Sequence, residues 1–178
     1  ISVTGVQTCA LPISTGTKNT AVGYNALITN VVGANNTAVG NQALQANTAS
    51  DNTAVGFCSL RSNTTGCQNV AVGFCALRNN TTGNTNVALG TTALRDNTTG
   101  TNNIAIGFRA GASVLGNTTI AIGEAAMYAS QGIGNTIGIG TDALRYNSGG
   151  QNTAVGGVSM AGNTSGNLNT ALGYSALR

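Results

Sequence analysis

Short alternations of β-branched and small residues, each ended by a glycine, run through the whole chain. The closing glycines are Gly23, Gly40, Gly56, Gly73, Gly90, Gly107, Gly123, Gly140, Gly156 and Gly173. Every interval between them is 16 or 17 residues. A period this regular is the signature of a repeat architecture. Within a unit the first position is Asn in eight of the ten copies, from Asn19 to Asn169. The second is β-branched throughout, as in Thr20, Val70 and Ile104. The third is Ala, except Gly138, and the fourth is Val, Ile or Leu. Alternating β-branched residues predict a short strand with the second and fourth side chains on one face and Ala on the other. Both faces are small or apolar, so both are expected to be covered. The units are too short and too rich in Gly, Thr and Asn for amphipathic helices.

Three residues after each glycine stands a second pair, mostly Ala-Leu, as in Ala26-Leu27, Ala76-Leu77 and Ala143-Leu144. It reads as a second short extended segment. The return is polar, as in Asn63-Thr64-Thr65-Gly66 and Asn80-Thr81-Thr82-Gly83. Such residues supply local side-chain bonds and left-handed backbone, so this is a turn. Each unit is then strand, bend, short strand and turn, which is one coil of a parallel β-solenoid or β-roll. Ten coils stacked at about 4.8 Å make an all-β rod about 48 Å long. A coil this thin buries little apolar area against the entropy of ordering it. Self-association along the rod is therefore expected, with the Ala face allowing close approach. A monomer with a solvated Ala/Thr face is the plainer alternative.

Composition narrows the chemistry. Charged residues are 6% of the 178 and aromatics 4%, with no His or Trp. Apolar residues reach 41%, against a disordered chain. The net charge of +3 gives no reason to expect nucleic acid, and no apolar run has the roughly 20 residues of a membrane span. Catalysis has little to work with, because Asp51, Asp96, Glu124 and Asp142 fall in different coils without a repeated pairing. No enzyme, no cofactor and no metal site is expected. Cys58 and Cys75 hold one position in consecutive coils and are expected to stay unpaired thiols, with a cross-coil disulfide as the alternative. The Asn-Thr-Thr and Asn-Thr-Ser runs match glycosylation acceptors in form, but turn chemistry accounts for them.

Arg61, Arg78 and Arg95 share one position on consecutive coils and form a basic ladder. It is suited to anionic glycan or phosphate groups; the plainer reading is a solubilising row that blunts an edge. Phe57, Phe74, Phe108, Tyr24 and Tyr174 share the position after the glycine, a column suited to stacking on sugars; the plainer reading is interface packing or a covered bend.

Residues 1–14 do not follow the repeat. Back-translated, residues 3–13 resemble a sequencing-library adapter, so this stretch is expected to be foreign or an unstructured leader, with the repeat domain over residues 15–178. The repeat has no visible terminal cap, and the chain is expected to be a fragment of a longer protein.

Units such as Asn69-Val70-Ala71-Val72-Gly73 and Asn103-Ile104-Ala105-Ile106-Gly107 resemble the head repeats of trimeric autotransporter adhesins, the YadA-like heads. Related repeats occur in phage-type tail fibres, which the stretch from Asn19 to Leu27 also resembles. The resemblance covers about residues 19–177, with units slightly longer than those of the adhesins. It implies a left-handed β-roll in a homotrimer at a bacterial outer surface, or on a virion. The implied role is attachment to host cells or extracellular matrix, with membrane contact only through an anchor outside this chain. A tail-fibre shaft is the alternative within the same fold. Ice binding by a flat Thr/Asn face is the alternative of another class, weakened because position two turns to Val and Ile between Val70 and Ile137.

Overall fold

A computed structural model describes residues 15–131 and 134–178, so the expectation for residues 1–14 lies outside the described residues. Ten three-residue strands follow one another: β1 (Thr20–Val22), β2 (Thr37–Val39), β3 (Thr53–Val55), β4 (Val70–Val72), β5 (Val87–Leu89), β6 (Ile104–Ile106), β7 (Ile120–Ile122), β8 (Ile137–Ile139), β9 (Thr153–Val155) and β10 (Thr170–Leu172). They form one parallel sheet in chain order. Register is strict, with Ala71 opposite Ala54 on one side and Ala88 on the other. The chain is a β-solenoid of about nine turns with no helix among the described residues.

Each repeat glycine sits at a corner. Gly73 has φ of +140°, which side-chain-bearing residues rarely adopt, and a Cβ there would lie 2.5 Å from the Gly90 carbonyl oxygen. Position five is therefore closed to other residues by both dihedral and stacking distance.

Two expectations are corrected here. The Ala-Leu pair is not a second extended segment. Gly73 and Ala76 close one turn, with the Ala76 N–H on the Gly73 carbonyl at 3.4 Å, and Leu77 and Asn80 close the next at 3.2 Å. Leu77 takes a left-handed φ of +49° at the junction. That conformation costs roughly 1–2 kcal/mol for an L-residue. It turns the chain back within a few residues and points the Leu inward, where it is fully buried. The coil-to-coil ladder continues through these turns, as in Leu77 N–H to Ala93 O at 2.9 Å and Cys75 N–H to Phe57 O at 2.8 Å.

The second correction is the direction of the strand faces. Alanine points inward and fills the core, at 0% exposure for Ala38, Ala54, Ala71, Ala88 and Ala105. The β-branched positions two and four point outward, half-buried or exposed. The opposite sides of the coil lie too close for Val or Ile on this row. The Ala face is thus already covered by the chain's own Ala-Leu turn.

Asparagines fill most of the remaining interior positions, which turn chemistry alone did not foretell. The position-one row is buried, and Asn69 shows its bonding. Its backbone N–H donates to Asn52 Oδ1 at 3.0 Å, and its Nδ2 donates to Gly83 O at 2.9 Å. Its own Oδ1 accepts from the Asn86 backbone N–H at 3.0 Å and from Asn86 Nδ2 at 3.2 Å. A second row runs through the turn, where Asn80 Nδ2 donates to Asn63 Oδ1 at 2.8 Å and to Gly83 O at 2.9 Å. Asn63, Asn80 and Asn97 are fully buried, so these residues are not accessible acceptors in the folded rod.

Departures from the repeat compensate one another. Gly111 stands where other coils carry Leu, and Val114 fills the core beside it, 1% exposed. Met127 occupies the next Leu position, and the strand that faces it has Gly138 in place of Ala. A Cβ on Gly138 would lie 2.8 Å from Met127 Cγ. We expect Gly138→Ala alone to cost about 1–3 kcal/mol by overpacking. Adding Met127→Leu is expected to recover most of that loss. Urea unfolding of the two single variants and the double variant measures the coupling.

Candidate binding surfaces of the rod

The solenoid presents two contrasting faces. On the sheet face, positions two and four form two outward ranks in register along every strand. Val22 is 42% exposed, Val72 39% and Ile106 38%. The ranks span about 48 Å by 10 Å, on the order of 500 Å², with threonine at position two in β1 to β3, β9 and β10 and apolar residues at the other positions. An apolar strip of that order matches the largest patch of a typical monomer, and such a patch is often a functional surface. It is richest at β6 to β8, which read Ile-Ala-Ile, Ile-Ala-Ile and Ile-Gly-Ile. There Ile104, Ile120 and Ile137, with Asn102, Thr118 and Asn135 beside them, line a shallow groove of about 370 Å³.

The turn face carries the polar chemistry. The column after the glycine places Phe57 and Phe74 in consecutive coils, stacked with centroids 5.2 Å apart and planes 9° from parallel. Thr91 separates them from Phe108, so the aromatic column is interrupted. Cys58 and Cys75 stand beside the phenylalanines as buried free thiols. The Cys58 thiol donates to Gln42 Oε1 at 3.2 Å. Burial, and then the neighbouring Cys58, raise the Cys75 thiol above its usual range.

Arg61, Arg78 and Arg95 lie in register on this face, but they are not equivalent. Arg95 is held by Asp96, with Nη2 to Oδ2 at 2.7 Å and Nε to Oδ1 at 3.0 Å. The Arg95 hydrogen bond is the main reason the Asp96 carboxyl sits below the usual carboxylate range, and Ser113 and Asn79 also donate to it. Arg61 Nε instead donates to neutral Gln45 Oε1 at 3.0 Å. Among the described residues the ladder therefore has two rungs without an acidic partner and a third that is ion-paired. Asp142 similarly meets Arg145 at 3.2 Å. Asp51 lies on the return, where Asn35 Nδ2 donates to it at 2.9 Å. Among the described residues no group of three His, Cys, Asp or Glu gathers to hold a metal ion.

The repeat pattern did not single out a cluster on coils six to eight. The Arg109 guanidinium lies 4.9 Å from the Phe108 ring centroid and 5.8 Å from that of Tyr128. Arg145 lies 5.9 Å from Tyr128 and 5.2 Å from Tyr146. Tyr128 is thus flanked by cations from the coils before and after it. Both buried asparagine rows lapse at the same place. Val114 follows Asn97 in one row, so Asn97 Oδ1 is buried without a donor. Thr119 follows Asn103 in the other, and its hydroxyl is likewise unpartnered. The outer cation–π contacts join coil six to coil seven and coil seven to coil eight, where the row positions carry Val114, Thr119, Ser130 and Thr136 in place of asparagine. Each contact contributes about 0.5–1 kcal/mol at an exposed site. We expect Tyr128→Ala to speed hydrogen exchange of the Gly111 and Ser113 amides about 5- to 30-fold, leaving β2 to β4 unchanged. Tyr128→Phe, which keeps the ring, should exchange as the parent does.

Fold and surface together define a β-solenoid repeat protein with an apolar sheet face and an arginine-bearing turn face. Comparison with protein-family models, with curated proteins and with solved structures returns no match.

Proposed function

We propose that the chain is a non-enzymatic structural and adhesive surface module, a homotrimeric β-roll rod that attaches its bearer to cells or matrix. The outward apolar strip carries this reading. Its backbone hydrogen bonds are already used within the rod, so side-chain packing against further copies is the remaining way to remove it from water. Three rods that each turn this face to a common axis would bury it and leave three arginine-bearing faces outside. Weak contacts on those faces would then act together, since linked sites gain affinity without new contacts. The Ala row, first expected to mediate association, is spent on the rod's own core.

The repeat's resemblance to adhesin heads supports a bacterial outer-surface setting. A phage-type tail-fibre shaft is the same architecture on a virion, and locating the protein on cells or on particles separates the two. Ice binding requires an unbroken threonine rank. The outward threonines Thr20, Thr37 and Thr53 give way to Val70, Val87 and three isoleucines, which favours an apolar partner over ordered water.

Light scattering coupled to size exclusion tests the assembly. We expect a mass near three times 17.6 kDa. The double variant Val72→Lys/Ile106→Lys is expected to run as a folded monomer, because it places charges in the strip. A parent chain that runs as a clean monomer would overturn the trimer.

A further inference from the structure

The turn face carries all six arginines in two neighbouring columns, which Arg109 connects by reaching Tyr128. Three of them are engaged. Arg95 and Arg145 are ion-paired, and Arg109 lies over aromatic rings. Arg61, Arg78 and Arg178 remain, and of these Arg61 and Arg78 stand one coil apart, within the consecutive runs Phe57-Cys58-Ser59-Leu60-Arg61 and Phe74-Cys75-Ala76-Leu77-Arg78. Gln45 fixes the Nε edge of the Arg61 fork and leaves its terminal nitrogens for an outside acceptor. Neither arginine has a carboxylate partner among the described residues.

We propose that Arg61 and Arg78 bind a linear anionic polysaccharide lying along the rod, with one charged sugar to each coil. This rests on the surface-module reading above. The coil rise of about 4.8 Å is close to the length of one pyranose unit in an extended chain. A periodic ladder therefore meets carboxylates or sulfates repeated at its own spacing. Planar guanidinium forks bind either anion through paired hydrogen bonds. The ladder stops at Arg95 because Asp96 already occupies that fork.

Asp96 supplies the test, since removing its charge should extend the ladder by one rung. Binding of the full chain to dextran sulfate and to polygalacturonate is measured by calorimetry, with neutral dextran as control. We expect both polyanions to bind and neutral dextran not to bind; binding of only one would assign the site to sulfate or to carboxylate. Arg61→Gln/Arg78→Gln should weaken binding at least tenfold and flatten its salt dependence. Asp96→Asn should tighten it three- to tenfold. Asp51→Asn makes the same change of net charge on the return and should stay within twofold of the parent. Equal gains from Asp96→Asn and Asp51→Asn, or no loss from the double arginine variant, would overturn the site. Light scattering on the same samples separates the two proposals. A monomer with this binding pattern sinks the trimer and leaves the site standing, whereas a trimer without it sinks the site alone.

Discussion

In-register stacking at one strand spacing is the constraint on which everything else depends. Every interior side chain has the equivalent side chain of the next coil directly above and below it, so each column must tolerate itself. Alanine and leucine do so by size, and glycine does so because Gly73 passes the Gly90 carbonyl with no room for a Cβ. Asparagine does so because it is both donor and acceptor, and the amide of one coil satisfies that of the next. An acidic column of the same shape would repel itself along the rod.

The asparagine rows explain how so thin a coil holds together. A regular coil buries two small alanines and one leucine, too little for an ordinary core. The amides of Asn69 and Asn80 use the rest of the interior to tie the strand, the return and the neighbouring coils. A buried amide network is favourable only while every member is satisfied. The break at Val114 and Thr119 leaves the Asn97 Oδ1 and the Thr119 hydroxyl without partners. That is where Gly111, Met127 and Gly138 also depart from the repeat, and where Tyr128 gathers its two arginines on the outside. The irregular coils form one coordinated local solution.

Self-complementary columns also govern the surface. A residue type repeated from coil to coil becomes a stripe, whether the apolar ranks of the sheet face or the arginine row of the turn face. Function in such a rod lies in where a stripe is continuous and where it is interrupted. Thr91 interrupts the aromatic column, and Asp96 quenches the third arginine. Val70 ends the first threonine rank.

The sequence by itself determined the period, the parallel stacked strands, the glycine corners and which arginines share a column. All of these follow from residue spacing, which stacking converts directly into position. Only the tertiary structure decided which strand face is inside. Alternation separates Ala71 from Val70 and Val72, yet it carries no sign, and the usual expectation puts the larger apolar residue in the core. The width of the coil reversed that, because the inward-turned Leu77 already fills the space opposite the alanine. Width is set by the left-handed turns, which no spacing encodes. The burial of Asn69 and Asn80 was hidden for the same reason, since asparagine beside glycine and threonine has the composition of a solvated turn. Its amide becomes a core group only when another coil brings an identical amide within hydrogen-bonding reach.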